Sequence, residues 1–102
     1  MMNPAMMNKI RKMQKELIET QKRLEATEFV GTAGGGMVKV TVLGNKSVLK
    51  VDIDREAVTG PEDLEMVEDT IVAALNDAFN KVDKETERVL APLQSGLGGF
   101  GF

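Results

Sequence analysis

Any chemistry in this chain must rest on carboxylates, lysines, arginines, serine or threonine, because it has no His, Cys, Trp or Tyr. Disulfides, the usual zinc sites and nucleophilic mechanisms built on His or Cys are therefore excluded. Three groupings remain. Asp52, Asp54 and Glu56 stand at alternate positions and invite a magnesium reading, although such sites usually also borrow a substrate phosphate. Acids alternating along an exposed strand face fit the same spacing, and we read them as solvated. Gly34-Gly35-Gly36 suggests a phosphate loop, which requires a strand before it and a helix after it, usually with Lys-Ser/Thr. Here the glycines run into the extended stretch Met37–Leu43, so a turn needing positive φ or close backbone packing is expected. The third grouping is cationic: Lys9, Arg11, Lys12 and Lys15 fall between Asn8 and Lys15 with no acid among them. A Schiff-base role for Lys9 or Lys12 would need burial that a charged helix face does not provide. No catalytic residue, metal site, cofactor or small-molecule substrate is assigned.

The elements that position these groups follow from periodicity. Val38, Val40 and Val42 alternate with Lys39 and Thr41, and Leu49, Val51 and Ile53 alternate with Lys50, Asp52 and Asp54. This pattern predicts strands at 37–43 and 47–54 joined at Gly44-Asn45-Lys46, each about 23 Å long. A further short strand is expected at 28–32, with Phe29 as its core anchor. Asn3-Pro4 signals a helix start. Met6, Ile10, Met13, Leu17, Thr20 and Leu24 then recur at spacings of four and three, predicting a helix over 4–26 with a narrow stripe suited to one neighbour. Gly60-Pro61-Glu62-Asp63 opens a second helix expected over 61–90, with Pro92 discouraging its continuation. Residues 1–93 read as one domain, and 94–102 as a flexible Gly/Phe tail.

The chain has 102 residues and a formal charge of −3. A charge of this sign argues weakly against nucleic acid only if it is evenly spread, and it is not. No stretch approaches a membrane span or a signal peptide, so a cytoplasmic protein without a membrane partner is expected. A 23 Å sheet cannot cover helices of roughly 35 and 45 Å. Their surplus carries apolar residues and the sheet has open edges, so a homodimer is expected. Its seam is placed at Met6, Ile10, Met13, Leu17, Val38 and Val40.

Particular runs carry a resemblance to a known family. KMQK (Lys12–Lys15), GGGMVKVTVLG (Gly34–Gly44), VDID (Val51–Asp54) and above all PEDLEMVEDTIVAALNDAF (Pro61–Phe79), followed by a Gly/Phe tail, resemble the YbaB/EbfC nucleoid-associated proteins of bacteria. The likeness covers nearly the whole chain; Gly60 departs from it where Asp is usual. It implies an α+β fold, with α-β-β-β-α protomers pairing through small antiparallel sheets and projecting helical arms. It also implies double-stranded DNA as a partner, a location at the nucleoid, and a role in nucleoid organisation and gene regulation. The first helix and the C-terminal part of the last are implicated, which adds Lys22, Arg23, Lys84 and Arg88 to the candidate DNA contacts Lys9, Arg11, Lys12 and Lys15. The acids of the second helix, Glu68, Asp69 and Asp77 among them, are expected to face away from the duplex. With only four aromatics, all Phe, and no helix-turn-helix spacing, backbone binding with weak sequence preference is expected. The alternative is a protein-interaction or chaperone-like module that clasps a client between Met-striped arms.

Overall fold

The computed structural model describes residues 3–98. Asn3 and Pro4 start the first helix, α1 (Pro4–Glu25), the Asn3 Oδ1 accepting the Met6 N–H at 2.8 Å. Three strands follow: β1 (Glu28–Ala33), β2 (Val38–Leu43) and β3 (Val48–Ile53). They form one antiparallel sheet in the order β1-β2-β3. Two single 3-10 turns, Arg55–Ala57 and Pro61–Asp63, lead into the long helix α2 (Leu64–Gly98). The order α-β-β-β-α and the antiparallel sheet are those the sequence implied.

The core forms where α2 crosses the sheet. Val38, Val40 and Val42 share the inner face of β2 and are fully buried against Val67, Ala74, Ala78 and Val82 of α2. Contact is backbone-close at Gly31 of β1, where an added Cβ would lie 2.2 Å from the Ala74 carbonyl oxygen and 2.4 Å from the Ala78 nitrogen. Side chains of α2 also occupy the free edge of β1. Asp77 accepts the Thr32 N–H at 2.9 Å, and Lys81 donates to the Val30 carbonyl at 2.8 Å while pairing with Asp77 at 3.3 Å. These contacts satisfy edge groups that would otherwise invite another strand. The Thr32 hydrogen bond, helped by Lys81, holds the Asp77 carboxyl below its ordinary value. The β1–β2 turn places Gly34, Gly35 and Gly36 all at positive φ, from 65° to 90°, a conformation that penalises any side chain.

Three features depart from the sequence reading. Leu49, Val51 and Ile53 do not form a buried row. A bulge separates the pairs Thr41↔Lys50 and Val42↔Val48, so Leu49 is the extra residue and Val48 takes the inner position. Val48, Leu49 and Val51 stay 41–51% exposed because α2 lies on β1 and β2 and scarcely reaches β3. Secondly, α2 does not end near residue 90. It passes through Pro92 to Gly98, so residues 94–98 are helical where a tail was expected; residues 99–102 lie outside those described. A proline removes one helix hydrogen bond and crowds one carbonyl, and here α1 braces the helix, with Thr20 and Leu24 facing Val89, Pro92 and Leu93. Thirdly, Val38 and Val40 cannot build a seam between protomers, since both are wholly enclosed beneath their own α2. Ile10 is also buried, Met13 and Leu17 are half-buried, and Met6 remains exposed.

Two measurements test this packing. Gly31→Ala should destabilise the fold by about 2 kcal/mol or more, because helix and sheet must separate to admit a methyl group. Gly35→Ala has open space around the added carbon and should cost only about 1 kcal/mol of backbone strain; urea unfolding of both distinguishes them. The depressed Asp77 pKa stabilises the fold above the ordinary aspartate pKa, and that stability is lost as pH falls through the lower folded value. Asp77→Asn should therefore flatten the acid limb of a urea-midpoint-against-pH curve, and an unchanged limb would contradict the role given to the Thr32 contact.

Candidate nucleic-acid interface

The position of the cations on α1 follows from the face that packing leaves free. The stripe Ile10, Met13, Leu17, Thr20 and Leu24 turns toward α2. At 100° per residue, Arg11, Lys12, Lys15 and Lys22 fall on the side away from it. Arg11, Lys15 and Lys22 accordingly share a shallow solvent-facing groove with Gln14, Ile18 and Glu19. Glu19 is the one acid of this group, and it approaches Lys15 at 3.9 Å with both side chains well exposed. Such a pair contributes little to stability and yields readily to a competing anion. The side chains of Arg11, Lys12 and Lys22 form no hydrogen bond or ion pair among the described residues. Lys9 lies off this face, toward the edge of the packed stripe.

A second cationic group forms where the helices meet the sheet. α1 returns antiparallel to the C-terminal half of α2, and the groove between them is lined by Arg23 and Thr20 on one side and Arg88, Val89 and Leu93 on the other. The Arg23 guanidinium donates to the Thr20 hydroxyl at 3.2 Å. Lys84 and Arg88 continue this surface toward Phe29 at the start of β1, beside Lys81. Arg88 is engaged with Glu85; that contact holds the Glu85 carboxyl low and raises Arg88. Arg88 is well exposed and Glu85 partly so, so the pair is a surface contact that a stronger anion can replace.

The structure thus separates the eight sequence-derived cations into an arm face (Arg11, Lys12, Lys15, Lys22), a helix junction (Arg23, Lys84, Arg88) and the flanking Lys9. Sequence reasoning missed Lys81, which stands in the junction surface although its own ammonium is tied to Val30 and Asp77. The i,i+4 spacing of Asp77 and Lys81 carries the pairing, but nothing in the sequence indicates the strand edge they reach. The acids Asp52, Asp54 and Glu56 take local roles: Asp52 pairs with Lys50 at 3.3 Å and Asp54 accepts the Glu56 N–H at 3.1 Å. Among the described residues no cluster of His, Cys, Asp or Glu has a metal-holding arrangement.

Comparison with known proteins bears on the fold and the family. A crystal structure of an uncharacterized protein from Helicobacter pylori superposes with a TM-score of 0.71, covering 92% of this chain and 99% of that one at 23% identity, a likeness of fold. A nucleoid-associated protein of Lachnospira eligens is 53% identical over 81 residues, 79% of this chain and 69% of that protein. A nucleoid-associated protein of Enterococcus faecalis is 40% identical over 96 residues, 94% of this chain and 91% of that protein. The sequence profile of the YbaB/EbfC DNA-binding family matches residues 1–97, and the chain belongs to that family.

Proposed function

We propose that this protein binds duplex DNA as a homodimer, through backbone phosphates and with weak sequence preference, and acts at the bacterial nucleoid in its organisation and in gene regulation. The observation that carries the reading is the solvent face of α1, where Arg11, Lys12, Lys15 and Lys22 lie opposite the stripe packed on α2. Phosphate contacts need cations that reach outward from an ordered element, and the C-terminal half of α1 is held against α2. Three cations, Arg11, Lys15 and Lys22, against the single amide of Gln14 in this groove favour phosphate contact over base readout.

Two-fold pairing is assigned to the ledge beyond α2. There the inner side of β3 is uncovered at Val48 and Val51, and Val72 of α2 is 58% exposed on the flank turned the same way. Joining two such ledges removes apolar surface from water and covers the open edge of β3. It leaves both arm faces exposed, so a dimer presents the cations twice.

If about six phosphates are contacted, log K should fall against log salt with a slope near −5. Lys12→Glu combined with Lys15→Glu should flatten that slope and weaken retention of duplex by about tenfold or more; retention equal to wild type at low salt would refute phosphate binding by the arm. Val51→Asp, at an exposed position, should give a folded species of single-chain mass in sedimentation, whereas an unaltered dimer would move the seam elsewhere.

A further inference from the structure

The end of the molecule remote from the arm has the opposite charge. A shallow, open cleft of about 520 Å³ lies between the β1–β2 turn and the start of α2. Its apolar floor is Ala33, Met66 and Ala73, and Glu62, Glu65 and Asp69 rim it, with no cation in the lining. Met66 is 45% exposed there, and the three carboxylates form no ion pair among the described residues. A surface of this kind suits a partner that carries flexible apolar side chains flanked by positive charge.

The N-terminal end of α1 has that chemistry. The first turn of α1 contains no acid, Met6 and Met7 are 39% and 41% exposed, and Arg11 and Lys12 follow within two turns. The tip cannot reach the cleft of its own chain. Leu24 lies beside Thr86 and Leu90 and Thr20 beside Leu93, so α1 runs away from the start of α2. Helix rise places its tip on the order of 55 Å from the cleft, in a molecule 70 Å long.

We propose that the acidic cleft receives the N-terminal end of α1 from a second copy of the chain, the two methionines filling the apolar floor and Arg11 and Lys12 meeting the carboxylate rim. The contact is heterologous, so it does not close on itself and links copies into open arrays. It is separate from the ledge at β3, because Met66, Asp69 and Ala73 occupy the flank of α2 on the β1 side. It also does not depend on DNA binding, and its test contains no DNA.

Sedimentation velocity of the full chain, from about 10 to 500 µM at about 50 mM salt, should show reversible growth beyond the basal species that disappears near 500 mM salt, where the Debye length is much shorter. Glu65→Lys with Asp69→Lys should weaken this growth by about tenfold or more, and Arg11→Glu with Lys12→Glu should do the same. A chain carrying all four changes, with rim and tip exchanged in sign, should recover most of it. Glu65→Gln with Asp69→Asn should give an intermediate loss, and circular dichroism should show native helix content throughout, since every changed side chain is exposed. The proposal is overturned if the wild-type chain does not grow at low salt, if reversal at the cleft leaves growth unchanged, or if the four-fold exchange associates no better than either pair of changes alone.

Discussion

A helix about 10 Å across can cover two strands spaced 4.8 Å apart, and it cannot cover three. Everything distinctive in this protein follows from how α2 meets that limit. It lies on β1 and β2, approaches the Gly31 backbone through Ala74 and Ala78, and ties the edge of β1 with Asp77 and Lys81. One side of the sheet edge is thereby closed with polar contacts, and the other is left as an apolar ledge. The asymmetry gives the protomer a finished side and an unfinished one.

Beyond the sheet, α2 serves as the rail on which α1 is mounted. Because α1 packs along a narrow stripe, about two thirds of its circumference stays in solvent, and its cations are carried there. The chain is acidic in total, yet four cations share the free face of α1, and five acids, Glu62, Asp63, Glu65, Glu68 and Asp69, gather around the start of α2. Net charge is thus a poor guide to its partners, since a phosphate backbone responds to the local potential of a face within about a Debye length. The same segregation makes one copy complementary to another end to end.

Both Pro92 and the bulge at Leu49 show where local rules give way to packing. A proline at position 92 argues for a helix end, and in isolation its missing hydrogen bond and ring clash would fray the last turn. Contact of Val89 and Leu93 with α1 outweighs that local preference. At the β2–β3 hairpin, Val48-Leu49-Lys50-Val51 supports either register, and the Thr41/Val42 irregularity chooses the one with Val48 inward.

The fold class, the helix start at Asn3-Pro4, the glycine turn and the cation-rich run were legible in the sequence. Each depends on neighbours within a few residues: capping, positive φ, period-two alternation and charge spacing are local properties. The site was legible only as a set of residue types. Which cations face solvent together, that Arg23 and Arg88 line one groove, and that Lys81 reaches the Val30 carbonyl were decided by how α1 and α2 pack. The placement of Val38 and Val40 was decided the same way. Alternation identifies an inward face without naming what covers it, and only the position of a helix from the far end of the chain determines whether that cover is the protein's own or a partner's.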